Sequence, residues 1–143
     1  ADLAAATGVV PFVGEQDWQE RSLLLCKGMC FGMNLKPFDA RILAPGDVTW
    51  GGLSCRVIHT PGHSEGSLCY YFVELGLVIT GDLLFFRSVG RSDLPGGNAE
   101  KLMRSIRENI YTLPGNVMVL PGHGPETSVG YEAVHNDFCR AQG

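Results

Sequence analysis

Two histidines and one aspartate each follow a predicted strand and stand beside a glycine. His63 lies in Thr-Pro-Gly-His-Ser, Asp82 in Ile-Thr-Gly-Asp, and His123 in Pro-Gly-His-Gly-Pro. Two imidazoles and a carboxylate are ligands suited to Zn²⁺, Fe²⁺ or Mn²⁺. Glycine permits the sharp turn that aims a side chain away from the end of a strand. The pattern therefore favours a metal site assembled from strand ends.

Each of these motifs alone also has an ordinary structural interpretation. Gly-Asp after a strand is typical of a turn, and a single loop histidine is more often a hydrogen-bonded polar residue than a ligand. From spacing alone, a shared metal site and three unrelated loop residues are about equally well supported interpretations. His59 is expected to end a strand as a packed residue or as a support for a ligand, and His135 to lie on a terminal helix.

The surrounding segments predict an α/β fold with several hairpin strands, a few helices and a single domain over residues 1–143. Strands are predicted at Val9–Val13, Asp47–Trp50, Leu53–Ile58, Ser67–Glu74, Leu77–Thr80 and Asn116–Leu120. Gly51-Gly52 between the second and third of these predicts a hairpin. Helices are predicted over Asp17–Phe31 with Asp17 as N-cap, from Asn98 to Leu113 with Asn98 as N-cap, and within Thr127–Phe138. The apolar stripe of the second helix is Leu102, Met103, Ile106, Ile110 and Leu113. Ala1–Thr7 has the character of a helix end closed by Gly8.

Composition excludes several classes of protein. With 45% apolar and 18% charged residues, the 143-residue chain is not of the disordered type. A net charge of −4 without a Lys/Arg cluster argues against a nucleic-acid partner. The longest apolar runs are far below the ~20 residues that cross a bilayer, so no membrane partner is expected. The five cysteines (26, 30, 55, 69 and 139) have no disulfide-like spacing, which predicts reduced thiols in a cytoplasmic protein.

Four motifs together resemble a known family. They are Thr60-Pro-Gly-His-Ser-x-Gly-Ser67, Thr80-Gly-Asp82, Gly90-Arg-Ser-Asp93 and Pro121-Gly-His-Gly-Pro125. The set resembles the metallo-β-lactamase superfamily, and within it the short single-domain form of the glyoxalase II-like (hydroxyacylglutathione hydrolase-like) branch. The resemblance extends from Ala1 to about Phe138, and it implies a partial αββα sandwich without its N-terminal strands.

The resemblance also implies a role for each motif residue. His63 would be the third imidazole on a first metal, Asp82 would bridge two metals as the catalytic carboxylate, and His123 would complete the second site. The ions would be Zn²⁺, with Fe²⁺ and Mn²⁺ as alternatives, and two would be present in the intact parent protein. A water or hydroxide between them would attack a thioester carbonyl. Arg91 would contact the glutathione part of the substrate, although a surface salt bridge explains this residue about equally well.

The sequence departs from the family pattern in three ways. The signature His-x-His-x-Asp-His is absent, so we expect a truncated domain with a partial, weakly occupied site. We expect the chain either to be a piece of a longer protein or to self-associate through an exposed sheet edge. Asp93 stands where relatives carry a tyrosine that contacts glutathione, and we expect it to hold Arg91 or to cap the loop. The 143 residues include no counterpart of the helical glutathione-binding domain of classical members.

Three functions are compatible with these features. The first is hydrolysis of a thioester, such as an acylglutathione, by the parent protein. The second is an iron-dependent persulfide dioxygenase, although such relatives tend to depart from Pro-Gly-His-Gly at the His123 position. The third is an inactive truncated domain with a structural or association role. β-Lactam, lactone and RNA cleavage rank lower.

Overall fold

The computed structural model describes residues 2–22 and 38–141, and the chain divides into two compact units, 1–44 and 45–143. The first unit contains α1 (Asp2–Thr7), β1 (Phe12–Val13), α2 (Glu15–Gln19) and β2 (Arg41–Ile42). β1 and β2 pair in parallel. The prediction of a single domain over 1–143 stays a prediction.

In the first unit, one predicted helix end is confirmed and one predicted helix start is wrong. α1 ends as expected at Gly8, whose φ is 69° and whose N–H donates to the Ala4 carbonyl at 2.8 Å. The predicted N-cap at Asp17 is wrong, because α2 begins after Gly14 and Asp17 lies in its first turn. From residue 23 on, the predicted helix, which includes Cys26 and Cys30, lies outside the described residues.

The second unit is built on a six-stranded mixed sheet with the order β10-β9-β6-β5-β4-β3. These strands are β3 (Gly46–Trp50), β4 (Leu53–His59), β5 (Leu68–Phe72), β6 (Leu77–Gly81), β9 (Met118–Pro121) and β10 (Thr127–Ser128). The predicted hairpin around Gly51-Gly52 is confirmed as the antiparallel pair β3–β4. All other neighbours are antiparallel too, except that β6 and β9 are parallel.

A second, two-stranded hairpin and three helical segments complete this unit. β7 (Leu84–Phe85) pairs with β8 (Ser88–Val89). α3 (Ala99–Ser105) is followed by a π-helix (Ile106–Ile110), and α4 (Val129–His135) lies near the end of the chain. The predicted N-cap Asn98 is confirmed, since its side chain accepts a hydrogen bond from the Lys101 N–H at 2.9 Å.

The core lies between the sheet and these helices. Alternation along the strands turns Tyr71, Val78 and Val119 to one face of the sheet, where they are buried. The predicted helical stripe is confirmed there, because Leu102, Ile106 and Ile110 are fully buried in the same cluster. Mixed sheet and packed helices confirm the α/β class.

The cysteine prediction holds for the described thiols: Cys55, Cys69 and Cys139 are buried and not in disulfides. Within the described ranges, no helix is long and apolar enough to cross a membrane.

Candidate metal centre

Three strands of the second unit run in the same direction and end at one edge of the sheet. β4 and β6 are both antiparallel to β5, and are therefore parallel to each other, while β9 pairs with β6 in parallel. His63, Asp82 and His123 come after the carboxyl ends of β4, β6 and β9 respectively. Side chains that follow parallel strand ends meet at the same edge, as ligand sites in α/β sheets do.

The structure brings the three predicted residues together. His63 Nε2 lies 3.7 Å from Asp82 Oδ2, and His123 Nε2 lies 3.4 Å from Asp82 Oδ1. Each imidazole thus faces a different oxygen of the same carboxylate. About a third of the His63 and Asp82 side chains is exposed, at 32% and 36%, whereas His123 is 77% exposed. The group is therefore open to solvent and to small molecules.

A backbone carbonyl fixes the proton position on His63. Nδ1 of His63 lies 2.8 Å from the Arg91 carbonyl oxygen. Because a carbonyl can only accept, Nδ1 carries the proton, and the lone pair of the neutral ring is on Nε2, which faces Asp82. Orientation of one ring nitrogen by a carbonyl is the usual second contact of a metal-binding histidine. Sequence reasoning missed this contact, since a backbone partner 28 residues away leaves no side-chain signal.

The loop that carries His63 is fixed against α3. The Gly62 carbonyl accepts from the Asn98 N–H at 2.8 Å, and the Pro61 carbonyl accepts from Ser105 Oγ at 2.7 Å. A Cβ on Gly62 would lie 2.3 Å from the backbone of Leu102. The glycine before His63 therefore allows close contact between loop and helix, which holds the histidine in place.

Asp82 and His123 are held by direct contact between their loops. The Gly122 N–H donates to the carbonyl of Gly81, the last residue of β6, at 2.8 Å, which extends the β6–β9 pairing one residue beyond the end of β9. A Cβ on Gly122 would lie 2.6 Å from Asp82 Oδ1. Only a residue without a side chain leaves room there for the carboxylate to face His123.

The guanidinium of Arg91 is engaged by a carboxylate. Arg91 Nε and Nη2 donate to the two oxygens of Asp93 at 3.0 and 2.9 Å. The hydrogen bonds from Arg91 hold the pKa of Asp93 below its usual range, and Asp93 raises the pKa of Arg91. The expectation that Asp93 holds Arg91 agrees with this geometry; a substrate-binding role for Arg91 stays a prediction.

The two remaining histidines have other surroundings. His59 is the last residue of β4, as expected, and its Nε2 pairs with the Glu65 carbonyl at 2.7 Å. His135 is the last residue of α4, with its ring 4.6 Å from that of Tyr131.

Distances and donor chemistry fit divalent metal ions shared by one carboxylate. Ligand atoms bonded at ~2.1 Å to one tetrahedral ion lie roughly 3.4 Å apart, close to both histidine–aspartate separations. Across residues 2–22 and 38–141, no three His, Cys, Asp or Glu side chains form a group that could hold an ion. Among these residues, each oxygen of Asp82 has one imidazole beside it, which is fewer donors than a tetrahedral ion takes.

Comparison with known proteins identifies the family. A sequence model described as "Metallo-beta-lactamase superfamily" matches residues 12–123, which include the three residues of the centre. The chain belongs to the metallo-β-lactamase superfamily.

Individual superfamily members agree with this assignment. The "Probable metallo-hydrolase YqgX" of Bacillus subtilis (strain 168) is 44% identical over 126 residues, which are 87% of this chain and 60% of that protein. The "Hydroxyacylglutathione hydrolase GloC" of Haemophilus influenzae (strain ATCC 51907 / DSM 11121 / KW20 / Rd) is 34% identical over 64% of this chain and 43% of its own length. The resemblance to the glyoxalase II-like branch is thereby confirmed. The chain spans 60% or less of the length of these two curated relatives.

A solved structure of the superfamily has the same fold. TTHA1623 "in a di-iron-bound form" superposes with a TM-score of 0.85 at 34% identity, and the match covers 96% of this chain and 68% of that one. BLEG-1, whose structure is described as a B3 metallo-β-lactamase, superposes with a TM-score of 0.82 at 33% identity, over 96% of this chain and 68% of that one. Together with the family match, it confirms the partial metallo-β-lactamase fold.

Proposed function

We propose that the chain contributes His63, Asp82 and His123 to a metal-dependent hydrolase centre, and that the whole protein cleaves a thioester of the acylglutathione class. The observation that carries this proposal is the placement of two imidazoles on separate oxygens of Asp82, at the carboxyl ends of three like-directed strands. Similarity to a protein named for hydroxyacylglutathione hydrolysis supports the thioester class.

The residues of the centre would divide the work as follows. His63 and His123 would bind a metal through Nε2, and Asp82 would bind through the carboxylate oxygens that face them. A divalent cation bound there would supply Lewis-acid activation of water and of the substrate carbonyl. Zn²⁺ is the expected ion, with Fe²⁺ and Mn²⁺ as the alternatives, because histidine and carboxylate ligands suit all three.

Protein groups other than the ligands have smaller roles. The Arg91 carbonyl keeps the proton of His63 on Nδ1, which leaves Nε2 unprotonated for binding. A thiol leaving group has a pKa of about 8.5, so little protonation by the protein is required when the thioester bond breaks.

The proposal is tested by assaying the chain with an acylglutathione thioester and added Zn²⁺ or Mn²⁺. We expect the wild type to release thiol, and a chelator to abolish this release. Asp82→Ala should release none, whereas His59→Ala should keep most of the activity. Oxygen uptake on glutathione persulfide with one iron per chain would overturn it in favour of the dioxygenase. Metal-independent thiol release, or none with any ion, would leave the inactive-domain interpretation.

A further inference from the structure

A fully buried carboxylate in α4 lies outside the centre and contacts the hairpin that leads to it. Oε2 of Glu132 accepts from the Arg87 backbone N–H at 2.9 Å and from Asn136 Nδ2 at 2.8 Å. Oε1 accepts from Thr127 Oγ1 at 2.7 Å. Removing a carboxylate from water is costly unless donors replace the water, and these three do so.

These contacts hold the turn of the β7–β8 hairpin. Arg87 lies in that turn and, among the described residues, is the non-glycine residue with positive φ, at 54°. Asn136, which is also fully buried, donates from the same Nδ2 to the Ser88 carbonyl at 3.0 Å. Two buried side chains of one helical segment thus fix both the amide and the carbonyl at the tip of the hairpin.

The other end of the hairpin carries two groups of the candidate metal centre. The Gly90 N–H donates to the Leu83 carbonyl at 3.0 Å, and a Cβ on Gly90 would lie 1.8 Å from the Asp82 carbonyl oxygen. Asp82 immediately precedes this closed end, and Arg91 immediately follows it. The hairpin therefore positions both the Asp82 carboxylate, which faces Nε2 of His63, and the Arg91 carbonyl, which faces Nδ1.

We propose that Glu132 is a positioning residue for the metal centre, acting through the β7–β8 hairpin on Asp82 and on the carbonyl of Arg91. This inference rests on the proposed function, because it assumes that the centre binds a metal. The length of the Glu132 side chain, rather than its charge, is what this positioning role requires. Glutamine can offer its carbonyl oxygen to Arg87 and Asn136 while its amide donates to the Thr127 hydroxyl, which can also accept.

Two conservative variants separate the effect of side-chain length from the effect of charge. Glu132→Asp keeps the charge but is one methylene shorter, whereas Glu132→Gln loses the charge and keeps the length. We expect the full 143-residue chain with Glu132→Asp to bind Mn²⁺ about tenfold more weakly than the wild type in calorimetric titration, and Glu132→Gln to bind within about twofold of it. Thr127→Val is the matched control, since it removes only the hydrogen bond on the sheet side of Glu132. It should lower the Tm and leave Mn²⁺ affinity unchanged.

A second readout needs no metal. Nitrogen-15 NMR of the imidazoles should show His63 protonated on Nδ1 in the metal-free wild type and in Glu132→Gln, and a mixture of tautomers in Glu132→Asp. Wild-type Mn²⁺ affinity and an unchanged His63 signal in Glu132→Asp, with only the Tm reduced, would overturn the positioning role. A wild type that binds no Mn²⁺ while the His63 signal changes as expected would refute the proposed function and support the role of Glu132.

Discussion

At the scale of single residues, Asp82 is the central group, because both imidazoles face its carboxylate. We expect Asp82→Ala to lose bound metal and any metal-dependent activity. His59→Ala should reduce them only slightly, since the His59 ring pairs with the Glu65 carbonyl and not with the centre. Metal content by atomic emission after dialysis measures both variants. Equal loss in the two would show that the ligands are assigned wrongly.

The buried thiol of Cys69 predicts that the stability of the protein depends on pH. Burial raises the pKa of Cys69 to about 12, partly offset by a hydrogen bond with Thr60. Because the unfolded thiol ionises near pH 9, its contribution to stability is complete below that pH and is lost as pH rises from about 9 towards 12.

We therefore expect the free energy of unfolding to fall in this window, and to fall less steeply in Cys69→Ala. The contribution of one such group is at most about 1.4 kcal/mol per pH unit. Urea denaturation at several pH values measures the slope, and identical slopes in both proteins would contradict the assignment.

At the scale of elements, the contact between the His63 loop and α3 depends on Gly62. Its φ is 141°, and a Cβ there would lie 2.3 Å from the Leu102 backbone. Gly46 is a matched control, because its φ is 143° but nothing lies within 4 Å of a Cβ at that position. Both positions share a φ that disfavours a side chain, and only Gly62 meets a neighbouring backbone, so their difference reports the contact with α3.

We expect Gly62→Ala to lower the free energy of unfolding by about 1–3 kcal/mol more than Gly46→Ala does. Because the loop must move away from α3, Gly62→Ala should also weaken metal binding, whereas Gly46→Ala should not. Urea denaturation and metal titration test the two effects. Equal losses in both variants would mean that the loop does not depend on this close approach.

Sequence patterns predicted the elements better than their long-range arrangement. The Gly51-Gly52 hairpin and the Asn98 cap follow from local backbone chemistry, and both were predictable. The π-helix at Ile106–Ile110 was not, because the sequence there keeps ordinary helical periodicity and buries the same stripe. Strand ends with their glycines indicated His63, Asp82 and His123, but the parallel pairing of β6 with β9, which brings two of them together, has no local signal.

Buried polar partners were equally invisible in the sequence. Glu132 accepts from an amide 45 residues away, and nothing near Glu132 in the chain distinguishes it from a solvent-exposed helical glutamate. A buried carboxylate is recognised only when the fold shows which donors surround it.

At the scale of the whole molecule, β3 ends the six-stranded sheet and has one pairing partner in the part of the chain that the structure describes. Unpaired strand edges are templates for further pairing, so we expect the chain to self-associate. Sedimentation velocity over a range of concentrations measures this. Thr49→Lys, at an exposed position of β3, should favour the monomer because a charged edge opposes pairing. A wild type that remains monomeric throughout would contradict the expectation.

Joint metal binding by His63, Asp82 and His123 is the property from which the proposed chemistry follows. Crystals of the chain grown with Mn²⁺, and measured at a wavelength where manganese scatters anomalously, test it most directly. We expect anomalous density at about 2.0–2.3 Å from the Asp82 carboxylate and from at least one of the two Nε2 atoms. Ordered Mn²⁺ bound only elsewhere, with these three side chains clearly resolved and without density between them, would contradict it.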